Sequence, residues 1–268
     1  MNRLRRDVAP VSERAWKLID EEATRTLRHF LAARRVVDFA DSKGWEHSAE
    51  SLGGSDEIPA PIDGVSGRLR RILPLVELRA ELTIDRDRLD AIDSGLREPD
   101  LAPVRDAARQ LALAEDGAVF HGYKAAGING ITNDSPHEAL KIGDDFAEYP
   151  RVVARAVAVL DEAGVGGPYA LVLGNHCYTG VIETTEHGGY PVLEHLRMIV
   201  GGPVIAAPAV DGAVVLSRRG GDFTLVTGCD FAIGYVDHDS REVRLFLEES
   251  MTFLDFGPEA AVALTYPT

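Results

Sequence analysis

Arg218–Phe253 reads RRGGDFTLVTGCDFAIGYVDHDSREVRLFLEESMTF. Apolar and polar residues alternate along it, interrupted by Gly220-Gly221, Gly228 and the turn-forming run Asp237-His238-Asp239-Ser240. The pattern predicts three or four short antiparallel strands, with Val243, Leu245 and Leu247 on one face. It holds no catalytic signature. Downstream the chain stays strand-rich to EAAVALTY (Glu259–Tyr266), and no internal repeat or low-complexity tract appears anywhere.

Upstream the chain mixes helices with strands, and the fold class is α+β. Ser12 is a candidate N-cap for a helix running to about Arg34, with Trp16, Ile19, Ala23, Leu27, Phe30 and Leu31 on its apolar side. An ordinary amphipathic core helix accounts for that pattern. Ser48–Gly67 is rich in Gly, Ser, Pro and acidic residues and reads as an extended excursion. Val76, Leu78, Ala80, Leu82 and Ile84 then alternate strictly with polar residues, the clearest strand in the chain. Helices are expected at Asp87–Ser94, at Leu101–Ala126 with Val104, Ala108, Leu111 and Ala118 as its apolar stripe, and at Tyr149–Ala163. Gly117 and Gly122 would allow backbone to approach the second of these. PYALVLG (Pro168–Gly174) is a buried strand, Asn175–Glu183 a helix, and Pro191 opens another that Gly201 closes.

At 268 residues and 45% apolar content the chain is long enough for one large domain or two modest ones. A formal net charge of -15 opposes nucleic-acid binding by phosphate neutralisation. Arg3, Arg5 and Arg6 are followed by Asp7 and Pro10 rather than by the apolar core of a signal peptide, so a cytoplasmic protein is expected. No apolar run nears the roughly 20 residues that cross a bilayer, so no membrane partner is expected.

The eight histidines form no H-E-x-x-H pair or other ligand ladder, and Cys177 and Cys229 lack zinc-site spacing, so no metal site is expected. His176 adjoins Cys177 with no oxyanion arrangement around it, and no P-loop or G-x-S-x-G elbow occurs. No catalytic residues can be named. No cofactor motif is present, and a bound flavin is left open.

In wording and order the opening block, RGGDF, then IGY, then LF, then E-x-x-TF, resembles the end of type 1 encapsulins. These are bacterial shell proteins with the tailed-phage major capsid fold, known as Hong Kong 97 phage-like. The resemblance continues through APVSERAW, ARRVVDF, GWE, PLVELRAELTID and EDGAVFHGYKAAGINGI, so it spans essentially the full chain. It implies peripheral-domain segments at 1–47, 85–134 and 219–268, an extension arm at 48–84 and an axial domain at 135–218. The arm would lay its one-sided strand on a neighbour.

The resemblance also implies partners and sites. The chain would assemble with itself, about sixty copies in the smallest closed icosahedron (triangulation number one), and enclose a peroxidase or ferritin-like cargo enzyme through a C-terminal targeting peptide. Leu27, Phe30, Leu31, Asp38, Ile233, Tyr235, Val243 and Leu245 become the cargo-peptide groove. Glu186, His187, Gly188, Gly189 and Tyr190 become the loop around the fivefold pore, where a plain surface loop is the simpler alternative. A phage capsid protein packaging DNA is the other class, opposed by the acidic balance.

Overall fold

The structure is a computed structural model and describes residues 3–186 and 188–267. Helix α1 (Glu13–Phe30) is capped by Ser12, whose Oγ accepts from the Ala15 N–H at 3.1 Å. Strands β1 (Asp38–Phe39), β2 (Ala49–Ile58), β3 (Gly67–Pro74) and β4 (Val76–Asp85) follow. Next come helices α2 (Arg86–Asp93), α3 (Ala102–His121) and α4 (Ile131–Asp134), then β5 (Leu140–Lys141), α5 (Tyr149–Glu162) and β6 (Tyr169–Leu173). Helices α6 (Asn175–Glu183) and α7 (Val192–Val200) lead into β7 (Val204–Ala206), β8 (Ala213–Ser217), β9 (Phe223–Thr227), β10 (Ala232–His238), β11 (Glu242–Asp255) and β12 (Ala261–Thr265).

One sheet runs β1-β9-β11-β10, with β4 also on β11. Strand β11 organises it, pairing with β4 along Glu242–Met251, with β10 along Val243–Glu248 and with β9 along Met251–Asp255. The strand is therefore long, not short as its alternation suggested. Nothing in it breaks the backbone after the 239–240 turn, and three neighbours supply ladder partners along its length. Val243, Leu245 and Leu247 do share a buried face, packed with α1, α2, α3, β4 and β10 in one core.

The second sheet, β5-β12-β8-β6-β7, is packed with α5, α6 and α7 into a separate core, into which the end of α3 also reaches. All five residues of β6 are buried, as its unbroken apolar run requires.

Two boundaries and one packing partner depart from the sequence pattern. Helix α1 stops at Phe30 because the Asp116 carboxylate accepts from both Ala32 N–H and Ala33 N–H at 2.9 Å, turning the chain aside. Helix α3 ends at His121, where Gly122 takes φ +79° and Tyr123 and Ile128 bridge. Close approach occurs at this glycine, since a Cβ there would lie 2.8 Å from the Gly130 nitrogen, whereas nothing lies within 4 Å of Gly117. Strand β4 does not lie free: it pairs with β11, and Ala80, Leu82 and Ile84 are buried in the chain's own core against α1, α2 and α3. The expectation that this face covers a neighbour is corrected accordingly.

Candidate functional site

The apolar surface left open lies on the preceding segment. β2 and β3 form a two-stranded sheet that pairs with no other strand among the described residues. Its Gly- and Ser-rich sequence has too few apolar residues for a core of its own, and an isolated hairpin of this kind is marginal in water. Yet it and its tip expose Leu52, Ile58, Ile62, Val65, Leu69 and Ile72, with Ile62 at 67%, Leu69 at 61% and Ile72 at 56% of full exposure. Leu69 and Ile72 are three apart on one strand, so alternation places them on opposite faces. A hairpin apolar on both faces is suited to burial between other surfaces.

The eight residues expected to form a peptide groove do not line one. Leu27, Leu31, Ile233, Tyr235, Val243 and Leu245 are buried together in the α1–α3–β11 core. Phe30 is half-buried at its rim, with the Arg109 guanidinium 5.3 Å from its ring centre and His29 edge-on at 4.9 Å. An open depression of about 390 Å³ beside it is lined by Glu22, Arg25, His29, Phe30, Arg105 and Arg109. Asp38 stands on β1, at the other end of the sheet's strand order from β10, where its carboxylate accepts the Gly221 N–H at 2.6 Å. That bond holds the Gly220-Gly221 turn, in which both residues have positive φ.

Glu186, Gly188, Gly189 and Tyr190 do form one loop, between α6 and α7; His187 lies outside the described residues. Glu186 N–H donates to the Tyr190 carbonyl at 2.8 Å and Gly189 N–H to the Glu186 carbonyl at 2.9 Å. The Glu186 carboxylate is drawn back onto α7, 2.7 Å from His195 Nδ1. Tyr190 remains exposed.

A constellation of charges that the sequence reading passed over sits where the two cores meet. Arg34 Nε lies 2.9 Å from both oxygens of Glu115, Nη1 2.8 Å from Asp230 and Nη2 3.4 Å from Glu249. Burial, reinforced by Glu115, pushes the Glu249 carboxyl well above the ordinary range, and burial pushes Asp116 up to about 7. The signal was present: Glu115 falls on the apolar stripe of α3, and Glu249 continues the buried series Val243, Leu245, Leu247.

Cys177 is buried, sharing hydrogen bonds with Tyr149 and Tyr266, and burial raises the Cys229 thiol to about 11, so neither is a poised nucleophile. No metal-binding group of His, Cys, Asp or Glu occurs among the described residues, and none of their helices is long and apolar enough to cross a membrane.

Two packed cores joined by a long strand and a long helix, with a hairpin projecting unpaired, make a capsid-type shell subunit. The virus-like particle of Pyrococcus furiosus superposes with a TM-score of 0.66 at 14% identity, covering 92% of this chain and 98% of that one. The capsid of Myoviridae phage XM1 gives 0.56 at 13% identity, over 88% and 92%. The family model described as "Encapsulating protein for peroxidase" matches residues 1–252. Type 1 encapsulin shell proteins of Rhodospirillum rubrum and Mycobacterium tuberculosis are 52% and 47% identical, over 98% and 99% of this chain and 96% and 100% of theirs. The chain belongs to the type 1 encapsulin shell proteins. It is a structural subunit and not an enzyme.

Proposed function

We propose that this chain closes into an icosahedral shell of about sixty copies in the cytoplasm and encloses a cargo enzyme. The observation that supports it is the β2–β3 hairpin, which exposes apolar side chains on both faces and pairs with no other strand among the described residues. Contact with neighbouring copies removes that surface from water, so assembly is the stable state of the chain. In this reading residues 48–84 comprise the arm, but its outer part, the hairpin, makes the contact, while β4 anchors it.

The cargo is a peroxidase or a ferritin-like protein, and the family's description as encapsulating protein for peroxidase supports the first. Its C-terminal targeting peptide docks where Phe30 emerges beside the α1–α3 depression, next to the core that holds Leu27, Leu31, Ile233, Tyr235, Val243 and Leu245. Asp38 contributes from a separate edge. The Glu186–Tyr190 loop rings the fivefold opening and admits small molecules or ions. No cofactor enters this role.

Negative-stain electron microscopy with light scattering of the purified chain tests assembly. Uniform hollow spheres are expected, and a stable monomer or dimer would overturn the proposal.

A further inference from the structure

The Arg34 cluster joins four parts of the fold: the tail of α1, helix α3, strand β11 and the β9–β10 turn. One guanidinium there faces three carboxylates, and the side chains of Glu115 and Glu249 have no solvent exposure. Arg34 is largely committed, since Nε and Nη2 engage Glu115 and Nη1 engages Asp230. Glu249 receives only the longer 3.4 Å contact, from the same Nη2 that engages Glu115, and its Oε1 has no hydrogen-bond partner.

The other titratable groups nearby supply no second cation. Asp116 is turned to the Ala32 and Ala33 N–H groups, the Cys229 thiol is neutral at physiological pH, and Asp230 is part-exposed and acidic. Glu248, next along β11, is served by Arg3 and Arg79. Two buried carboxylates that share one guanidinium with a third leave excess negative charge away from water, and a proton on the poorly partnered Glu249 relieves it.

We propose that Glu249 holds a proton beside the Glu115–Arg34 pair, and that this proton locks β11 to α3, so that the joint between the two cores loosens when the proton is lost at alkaline pH. The direction follows from linkage. The folded chain holds a proton that the unfolded chain releases, so stability is lost as pH rises toward the folded-state value. The released proton goes to solvent. The joint lies inside a single subunit, so the inference stands apart from the shell reading.

Glu249→Gln keeps a hydrogen-bond donor of the same size but cannot ionise. Melting of purified wild-type and variant protein in steps from about pH 6 to about pH 9 should show a fall in melting temperature that is roughly halved in the variant. An infrared titration with carbon-13-labelled glutamate, in a Glu248→Gln background that removes the neighbouring buried carboxyl, reads the proton directly. A protonated-carboxyl band should be present at neutral pH, vanish at alkaline pH and be absent after adding Glu249→Gln. Parallel melting profiles, or no such band at neutral pH, would overturn the proposal. Should Glu249→Gln fail to fold, the band in the Glu248→Gln protein decides alone.

Discussion

Arg34 sits between the rings of Phe39 and Phe231, with its guanidinium carbon 4.4 and 4.7 Å from their centres. Its planar, weakly hydrated cation suits such a slot while its nitrogens engage carboxylates in the ring plane's surroundings. Acidic groups near this joint and elsewhere in the core share one tendency. Asp255, half-buried with Oδ2 unpartnered, is pushed up to about 7, chiefly by burial and then by Asp134. A carboxyl raised in the folded state stabilises least once it must ionise, so its contribution is lost between its unfolded value near 4 and about 7. Asp255→Asn should therefore melt like wild type near pH 4 and progressively higher than wild type up to about pH 7. Equal offsets at both ends of that range would disprove the assignment. At this scale the sequence was partly legible: acidic residues at 115 and 249 fall on apolar stripes, but which cation meets them depends on a contact 81 residues away.

The hairpin and β11 show what element patterns can and cannot convey. Strict alternation in 76–84 identified β4 correctly, yet alternation says only that one face is apolar, not what covers it. The chain's own helices α1, α2 and α3 cover it, while β11 pairs along its edge, and the surface available for a neighbour moved outward to the Gly- and Ser-rich hairpin, where few apolar residues and no helical period are visible. The hairpin is detached from both cores, so changes there should spare the subunit's fold. Leu69→Asp with Ile72→Asp places a charge on each hairpin face. The double variant is expected to keep wild-type far-ultraviolet circular dichroism while running as small species in light scattering. Intact hollow particles from it would remove the hairpin from the contact.

At the scale of the whole molecule, the expected cargo residues became two different things. Six are interior side chains that hold α1 against the β4–β11–β10 sheet, so an acidic substitution at Leu31 would bury a charge and damage the subunit. Phe30, at the rim, separates the two effects. Phe30→Asp should leave particles of normal size while cutting co-purified cargo at least about tenfold, the equivalent of about 1.4 kcal/mol of docking energy. Undiminished cargo would place the docking surface elsewhere. The sequence by itself determined the main helices, the alternating strand β4, the buried strand β6, the capping at Ser12 and the family resemblance, because periodicity, caps and motif order are local properties carried residue by residue. Only the tertiary structure decided that β11 is one long strand shared by three partners, that the arm's strand is internal, and that Arg34 gathers Glu115, Glu249 and Asp230. Burial and charge pairing are relations between distant segments, and those distances come into being only when the chain is folded.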